Sequence, residues 1–529
     1  MSFIKYYDTE TKTLDLPYDF NDLLTNIPND TEVINFTENF DDEEFSIFNK
    51  SISNLPESVI EITFGYSFNK AVGKLPKKLS YLNFGYKFNN AVDKLPQSLT
   101  HLTFDFKFNK SVHKLPQSLT HLSFGYNFDK PVDHLPKNLT HLSFGRNFNQ
   151  LVDNLPKNLT HLSFGRNFNQ SVDNLPNNLT HLSFGRNFDQ TVLKLPQTLT
   201  HLSFRKLFNQ KVNKLPKNIT HLTFGSNFNQ LVNKLPENLI ELTFNRNFNK
   251  KVNKLPKNIT HLIFGESFNQ QIDNLPENLT HLILGDDFNK PIDKLPNKLT
   301  HLTFGEFFNQ NIDNLPKSIT HLTFGDFFNK PVNNLPENLI ELNFGFNFNQ
   351  IVDNLPNKIT ELTFGTAFDK SVDNLPQSLT ELTFGYSFNQ PVNNLPQNIT
   401  ELYFDDEFNQ KLDNLPKNLN ILCFSFNSVF NKKLINLPEN LTDLCLGWNF
   451  NNDIVIPKNL KEIYLTCNNN LLNMLPEHIE TLHISFADYN EYNKSVDNLP
   501  FTLKEIYLDC EEDLQFIKIP FDVKVFIEN

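Results

Sequence analysis

The strongest constraint on this chain is a repeat of fixed length. A Leu-Pro pair recurs at every twentieth position from Leu55 to Leu415, which defines eighteen consecutive repeats without an insertion or a deletion. The shared pattern is LPxxLTxLxFGxxFNxxVxx, and the stretch from Leu155 to Asn174 is a representative copy. A period of this length is typical of solenoids, in which each repeat buries its apolar face against its neighbours. The chain is therefore predicted to form one continuous array.

Each repeat is predicted to contribute one short strand to a single sheet. In the representative copy, Leu162 and Phe164 alternate with polar residues, which is the pattern of a half-buried strand. Leu159, Phe168 and Val172 extend the apolar set, and the two Phe columns are predicted to be core. The proline of each repeat removes a backbone donor and disfavours a helix on the return path. We therefore predict a mainly β chain, a single parallel β-solenoid with a concave sheet and an extended or 3₁₀ convex side.

Both ends of the array are predicted to be divergent and acidic. Residues 1–54 carry twelve Asp or Glu against three Lys, and residues 501–529 carry seven against three, whereas the residues between them sum to zero. We expect 1–54 to form an acidic cap with a divergent first repeat, 55–414 to form the regular repeats, and 415–529 to form divergent repeats with a second acidic cap. Charged caps keep solenoids from stacking end to end.

The spacing adds three details about the ends. Residues 1–26 do not follow the repeat, and Ile27-Pro28 is its first degenerate Leu-Pro pair. The acidic insert from Asp41 to Glu44 is expected to be exposed. A second insert lies around Ala487 to Glu491.

Composition narrows the classes of function. A net charge of −13, with a neutral array, disfavours binding to the phosphates of nucleic acid. No apolar run is long enough to span a membrane, and the N-terminus lacks the apolar segment of a secretory signal. The four cysteines form no CxxC pair, which argues against a zinc module and suits a reducing compartment. We expect a monomeric cytoplasmic protein with neither a membrane nor a nucleic-acid partner.

The position two residues after Phe164, and its equivalent in each repeat, is the least constrained part of the pattern. Along the array it is first aromatic, then basic, and later acidic. The aromatic and basic members Tyr66, Tyr86, Phe106, Tyr126, Arg146, Arg166 and Arg186 are the candidate protein-binding residues. Aromatic residues and Arg are common anchors of protein interfaces. Recent duplication of neighbouring repeats explains the same runs without a function, and the sequence leaves both explanations open.

A histidine column starts the predicted strands. It comprises His101, His121, His141, His161, His181, His201, His221, His261, His281, His301 and His321. Because Leu162 and Phe164 face the core, these imidazoles are expected to point to solvent. Such a column could bind a transition metal or respond to pH. A metal site needs convergent ligands, which one flat column does not supply, so we favour a solvated stack and predict no metal.

Three further positions are assigned structural roles. The residue after Phe168 is Asn or Asp in all eighteen repeats, which predicts a ladder of bonds to backbone groups. The residue after Phe164 is Gly in fourteen repeats, which predicts a left-handed turn, with Arg205 as a misfit. Cys423 and Cys445 occupy equivalent positions close enough to bridge, but we expect free thiols.

The array resembles the FNIP repeat, a relative of the leucine-rich repeat named for a Phe-Asn-x-Pro-Ile/Val core. Phe288 to Ile292 reads FNKPI and Phe328 to Val332 reads FNKPV, and the resemblance covers roughly residues 27–520. It implies a solenoid of the leucine-rich-repeat type that serves as a protein-interaction module. Such arrays occur mainly in social amoebae and in giant viruses of amoebae, where the compartment would be the host cytoplasm.

The predicted function is a non-enzymatic scaffold that binds another protein through its concave face. No catalytic constellation stands apart from the repeat, and no cofactor is expected. Some FNIP relatives carry an F-box before the array, and Leu16-Pro17 with Leu23 to Pro28 resemble it. The alternative function is therefore a substrate adaptor for a ubiquitin ligase.

Overall fold

The structure is a computed structural model that describes residues 3–38, 43–52, 54–466, 470–485 and 496–527. The chain divides into two compact units, Met1–Gly265 and Glu266–Asn529. We call them the N-terminal unit and the C-terminal unit. Each is a stack of short coils, and each strand pairs with the strand of the next coil within its unit.

The N-terminal unit begins with the 3₁₀ helix η1 (Phe3–Tyr6). Its strands are β1 (Tyr7–Asp8), β2 (Thr13–Leu16), β3 (Val33–Phe36), β4 (Glu61–Thr63), β5 (Tyr81–Phe84), β6 (His101–Phe104), β7 (His121–Ser123), β8 (His141–Ser143), β9 (His161–Ser163), β10 (His181–Ser183), β11 (His201–Ser203), β12 (His221–Thr223), β13 (Glu241–Thr243) and β14 (His261–Ile263). Strand β1 is antiparallel to β2, and β2 to β14 pair in parallel in chain order.

The C-terminal unit continues the pattern with longer strands toward its end. Its strands are β15 (His281–Ile283), β16 (His301–Thr303), β17 (His321–Thr323), β18 (Glu341–Asn343), β19 (Glu361–Thr363), β20 (Glu381–Thr383), β21 (Glu401–Phe404), β22 (Ile421–Phe424), β23 (Asp443–Cys445), β24 (Glu462–Thr466), β25 (Thr481–Ser485), β26 (Glu505–Leu508) and β27 (Lys524–Ile527). All of them pair in parallel in chain order, and two 3₁₀ helices, η2 (Asn470–Asn473) and η3 (Glu511–Phe516), lie between strands.

The register places identical residues of successive repeats side by side. In β9 and β10, His161 faces His181 and Leu162 faces Leu182. Leu162 is 2% exposed, whereas His161 lies on the solvent side of the sheet because side chains alternate along a strand. The twenty-residue period of the sequence is therefore also the period of the structure, and the predicted parallel β-solenoid is confirmed.

The core is a double column of phenyl rings. Phe164 and Phe168 of one coil stack at 3.7 Å between ring centroids, and Phe168 lies 6.1 Å from Phe188 of the next coil. Phe168 is 0% exposed. Each ring therefore contacts rings of its own coil and of its neighbours, which holds successive coils in register. The predicted core role of both Phe columns is confirmed.

The return path of each coil is extended and interrupted by turns. In the representative repeat, the N–H of Leu159 donates to the carbonyl oxygen of Pro156 at 3.3 Å, which closes the turn that leads into the strand. Within the described ranges, helical geometry is confined to η1, η2 and η3. The predicted extended side of the solenoid is therefore confirmed.

The Asn and Asp residues that follow Phe168 and its equivalents form the predicted ladder. The Oδ1 atom of Asn169 accepts the backbone N–H of Asp189 at 2.9 Å. Asp189 repeats the contact with the N–H of Asn209 at 2.8 Å. Each side chain thus caps a backbone donor of the next coil, and both residue types serve because both carry Oδ1.

The glycine after the strand has a different role from the one predicted. No described glycine has a positive φ, and Arg205 does not have one either, so the predicted left-handed turn is wrong. A Cβ built on Gly165 would lie 1.9 Å from the carbonyl oxygen of Gly145 in the preceding coil. Glycine is favoured here because neighbouring backbones approach closely, not because the backbone is left-handed.

The array begins earlier than the spacing indicated. Strand β2 pairs in parallel with β3, Leu14 and Leu16 are fully buried, and Phe20 stacks on Phe48 at 6.0 Å. Residues 13–26 are therefore part of the solenoid, although their sequence does not follow the repeat pattern. Leu16-Pro17 lies at the end of strand β2, whereas a regular Leu-Pro pair precedes its strand.

The segment that resembles an F-box shows a different secondary structure. Residues 3–38 contain one 3₁₀ helix and three strands, and Leu24 is buried in the first coil. An F-box needs three helices, so the resemblance does not extend to the secondary structure of these residues.

The predicted inserts are described only in part. Asp41, Asp42 and the second insert around Ala487 to Glu491 lie outside the described residues. Glu43 is exposed and Glu44 is half-buried. No described helix is both long and apolar enough to cross a membrane.

Candidate functional site

The seven candidate residues follow the strands of successive coils, and we call them the turn row. Its first four members form one stack of rings. The centroid distances are 4.5 Å from Tyr66 to Tyr86, 4.5 Å from Tyr86 to Phe106 and 4.3 Å from Phe106 to Tyr126. The guanidinium carbon of Arg146 lies 4.8 Å from the ring of Tyr126, which continues the stack as a cation–π contact. The structure therefore brings five of the seven candidates into direct contact.

The remaining two candidates continue the row through the backbone. The N–H of Asn167 donates to the carbonyl oxygen of Arg146, and the N–H of Asn187 donates to that of Arg166, both at 2.8 Å. These bonds stack one turn on the next. Arg166 is half-exposed and Arg186 is exposed, so both guanidinium groups are accessible to a ligand.

The histidines of the N-terminal unit form a second row on the same sheet. The seven rings from His101 to His221 stack with 4.2 Å between successive centroids, at interplanar angles of 9–13°. Tyr81 stacks on the first ring at 5.8 Å. At the other end, Nε2 of His221 lies 3.6 Å from a carboxylate oxygen of Glu241. We call these seven residues the histidine row, and its predicted stacking is confirmed.

A threonine fixes the tautomer of each histidine in the row. Oγ1 of Thr160 lies 3.1 Å from the carbonyl oxygen of Thr140 and 2.9 Å from Nδ1 of His161. The carbonyl can only accept, so when both contacts are hydrogen bonds the single hydroxyl proton points to Thr140 and Nδ1 donates its own proton to Oγ1. The neutral imidazole therefore carries its proton on Nδ1, which leaves Nε2 as an acceptor.

The threonine before each histidine was not predicted to be part of this site. All eleven histidines of the column follow a Thr, whereas the six Glu at the same position are divided: Ile precedes Glu61, Glu241 and Glu341, and Thr precedes Glu361, Glu381 and Glu401. That coupling between neighbouring positions is visible in the sequence and would have pointed to a Thr–His pair.

The solvent side of the sheet forms a groove in the N-terminal unit. It has a volume of about 600 Å³ and is lined by the histidine row, by Tyr81 and by the Ser and Thr residues two positions after each histidine. Two of the serine pairs are hydrogen-bonded, with 2.8 Å between the Oγ atoms of Ser123 and Ser143. The turn row lies outside this lining, along the ends of the same strands. The face therefore combines a groove lined by His, Ser and Thr residues with an aromatic and basic margin.

Burial and mutual repulsion disfavour the charged form of four histidines in the row. Burial lowers the pKa of His121, His141, His181 and His201, and neighbouring histidines lower it further. Glu241 partly offsets this effect for His201 by raising its pKa. Rings only 4.2 Å apart cannot all be charged without strong repulsion.

Acidification is therefore expected to destabilise the N-terminal unit. The four histidines named above have folded-state pKa values below their ordinary value of 6.5, so the unfolded chain binds more protons as the pH falls below it. The stability they contribute is complete above that pH and is lost as the pH falls through their folded pKa values. The melting temperature measured against pH tests this. A fourfold His→Asn variant should flatten the profile, and equal slopes for both proteins would contradict the expectation.

The geometry of the row does not favour a metal. No three His, Cys, Asp or Glu side chains in the described ranges converge on a point that a metal ion could occupy. Stacked parallel rings direct their Nε2 lone pairs alongside one another, whereas coordination requires them to meet.

The two cysteines of equivalent position form a disulfide. Cys423 and Cys445 are register partners on β22 and β23, their Cα atoms are 4.3 Å apart, and their sulfurs are bonded. The expectation of free thiols is therefore wrong. Parallel register places the two side chains on the same face of adjacent strands.

Comparison with known proteins identifies the repeat. The FNIP Repeat family model matches sixteen overlapping segments that together cover residues 48–234, 251–427 and 430–468. Comparison with curated proteins found no match. Among solved structures, CroV588 of a giant virus, described as a novel circular LRR protein, is 38% identical with a TM-score of 0.81, over 95% of this chain and 86% of that chain.

Two other solved structures are more distant. YopM from Yersinia enterocolitica WA-314 is 21% identical over 89% of this chain and 91% of its own, with a TM-score of 0.44. A chain of the Toll–Spatzle complex from Drosophila is 14% identical over 81% of this chain and 64% of its own, with a TM-score of 0.41. The match to CroV588 confirms a solenoid of the leucine-rich-repeat type. The chain belongs to the FNIP repeat family.

Proposed function

We propose that this protein is a non-enzymatic scaffold that binds a protein partner on the solvent side of the sheet in its N-terminal unit, the side predicted to be concave. The observation that carries the proposal is the turn row. Four stacked rings run directly into Arg146, and Arg166 and Arg186 follow in the next two turns. Aromatic and Arg side chains are enriched at protein interfaces and at the residues that carry most of the binding energy.

The uniformity of the face supports a scaffold rather than an enzyme. The same His-Leu-Ser or His-Leu-Thr strand recurs from β6 to β12, so each groove residue has the same neighbours as its equivalent in the next coil. Catalysis requires different groups that converge on one reacting atom. A long face of identical steps suits an extended partner instead.

The competing explanation is that duplication alone produced the turn row. Under that explanation the three arginines are exposed by-products of copied repeats, and no partner depends on them. The two explanations differ in what charge reversal does to binding.

Reversing the three arginines is therefore the test. We expect R146E/R166E/R186E to slow association with an acidic partner and to weaken the salt dependence of binding. The array has no net positive charge that could attract the partner in place of these arginines. Fold stability should change by no more than about 0.5 kcal/mol per substitution, since the side chains are exposed or half-exposed. Partners are first identified by affinity capture and mass spectrometry, and association rates are then measured at several salt concentrations.

A matched control changes the same charge elsewhere. Lys137, Lys157 and Lys217 are exposed and lie before the strands, so K137E/K157E/K217E should leave binding intact. Equal binding by wild type and the arginine variant would support duplication. Retention of ubiquitin-ligase components by the arginine variant would favour the adaptor alternative.

A further inference from the structure

We propose that the groove of the N-terminal unit binds an extended acidic segment of the partner and takes up protons when it does so. The inference rests on the proposed function, because it names the chemistry of the partner for the same face. If the proposal is correct, acidification strengthens binding of the acidic segment, although acidification destabilises the N-terminal unit when no ligand is bound.

The first observation is the distribution of charge. In the four coils from residue 135 to residue 214, the strand and the following turn read THLSFGRN three times and THLSFRKL once. These stretches hold five basic residues and no acidic residue. The face is therefore complementary to a negatively charged ligand even when every histidine is neutral.

The second observation is the tautomer of the histidine row. Because Nδ1 donates to Thr, the neutral ring presents Nε2 as an acceptor, as the contacts of Thr160 with Thr140 and His161 require. A carboxylate is also an acceptor, so the two cannot bond until Nε2 gains a proton. Binding of a carboxylate in the groove is therefore coupled to proton uptake.

The protein itself places carboxylates against the same atom. Nε2 of His221 lies 3.6 Å from Glu241 at the end of the row. In the C-terminal unit, Nε2 of His321 lies 3.8 Å from Glu341. Both glutamates come from the neighbouring strand, so a carboxylate on the solvent side of this sheet can reach Nε2 of a histidine in the column.

The charged surroundings explain why the proton arrives with the ligand. Each inner histidine faces two other histidines of the row, Tyr81 stands at one end, Glu241 stands at the other, and the arginines follow along the strand ends. Apart from Glu241, these groups are neutral or positive and do not favour a further positive charge. Burial, and after it repulsion by neighbouring histidines, lowers the pKa of His141 and His181, and a bound carboxylate would offset the repulsion.

The observations favour a peptide over a nucleic acid. The aromatic rings of the turn row stack on one another at 4.3–4.5 Å, so their faces are occupied and offer no platform for bases. A peptide with carboxylate side chains needs no stacking platform.

The test uses the full chain and a fluorescent peptide of alternating Glu and Ser, which stays ionised across the range. We expect its affinity, measured by anisotropy at constant ionic strength, to rise about tenfold or more between about pH 7.5 and about pH 5.5. A Gln/Ser peptide should show no such gain. The variant H141N/H161N/H181N/H201N should lose the gain, because Asn can still donate to Thr but does not titrate.

Two exposed histidines outside the row provide the matched control. His113 and His134 lie in the turns away from the groove, so H113N/H134N should keep the full gain. An affinity that does not depend on pH, or a gain that survives the fourfold variant, would overturn the proposal. Tighter, equally pH-dependent binding of oligouridylate would assign the groove to nucleic acid instead. If the peptide-binding experiments fail while the arginine variant still loses its natural partner, the proposed function stands and this inference alone is wrong.

Discussion

Replacing Phe168 with alanine is expected to destabilise the coils around it by about 3–5 kcal/mol. The ring is 0% exposed and lies between Phe164 of its own coil and the equivalent rings of the adjacent coils. Those neighbours are fixed by the strand register, so they cannot collapse into the cavity that the mutation leaves. Coils contact chiefly their neighbours, and the loss should therefore be local.

Hydrogen exchange across residues 135–194 measures this loss directly. The opening equilibrium should rise by roughly two to four orders of magnitude in the affected coils and little in distant ones. Leu151→Ala is the matched control, because Leu151 is 61% exposed and its truncation leaves no cavity. Unchanged protection in the Phe168 variant, or equal effects of both variants, would show that the phenyl column does not hold the coils together.

The fold could be predicted from the sequence because one pattern is repeated without a slip. Leu162 and Phe164 fix the inward face of the strand, and eighteen copies leave no doubt about the register. The prediction of the turn failed because one residue type can be favoured for two different physical reasons. Gly165 was assigned a left-handed turn, yet glycine is favoured there because a Cβ would lie 1.9 Å from the neighbouring carbonyl oxygen. Only the distance between coils distinguishes these reasons.

The candidate site was predicted less completely. The repeat pattern identified the aromatic and basic residues of the turn row and their order along the chain. It did not show that Arg146 stacks on Tyr126. It also could not show that Thr160 donates to the backbone, and so fixes the proton of His161, because that bond involves the preceding coil. Contacts between coils are set by the three-dimensional register, and a one-dimensional pattern only indicates which residue types are available for them.

In the ladder of Asn and Asp residues, one contact between coils can be tested with a substitution that removes the acceptor oxygen of the side chain and another that keeps it. Oδ1 of Asn309 accepts the backbone N–H of Asn329 at 3.1 Å, and the N–H of Asn309 donates to Oδ1 of Asn289, also at 3.1 Å. Leucine has nearly the same shape as asparagine but no acceptor. We expect N309L to destabilise the local coils by about 1–3 kcal/mol, because a part-buried backbone donor loses its partner.

The control for this variant is supplied by the sequence itself. Asp129, Asp189 and Asp369 make the same bond in other coils, at 3.0, 2.8 and 3.0 Å. N309D should therefore stay within about 0.5 kcal/mol of wild type near neutral pH, where the carboxylate is ionised and accepts as well as an amide oxygen does. Exchange of the Asn329 amide reports on the bond, and chemical denaturation reports on the coils. If N309D is as unstable as N309L, the amide nitrogen rather than the oxygen holds the ladder, and the interchange of Asn and Asp along the array would need another cause.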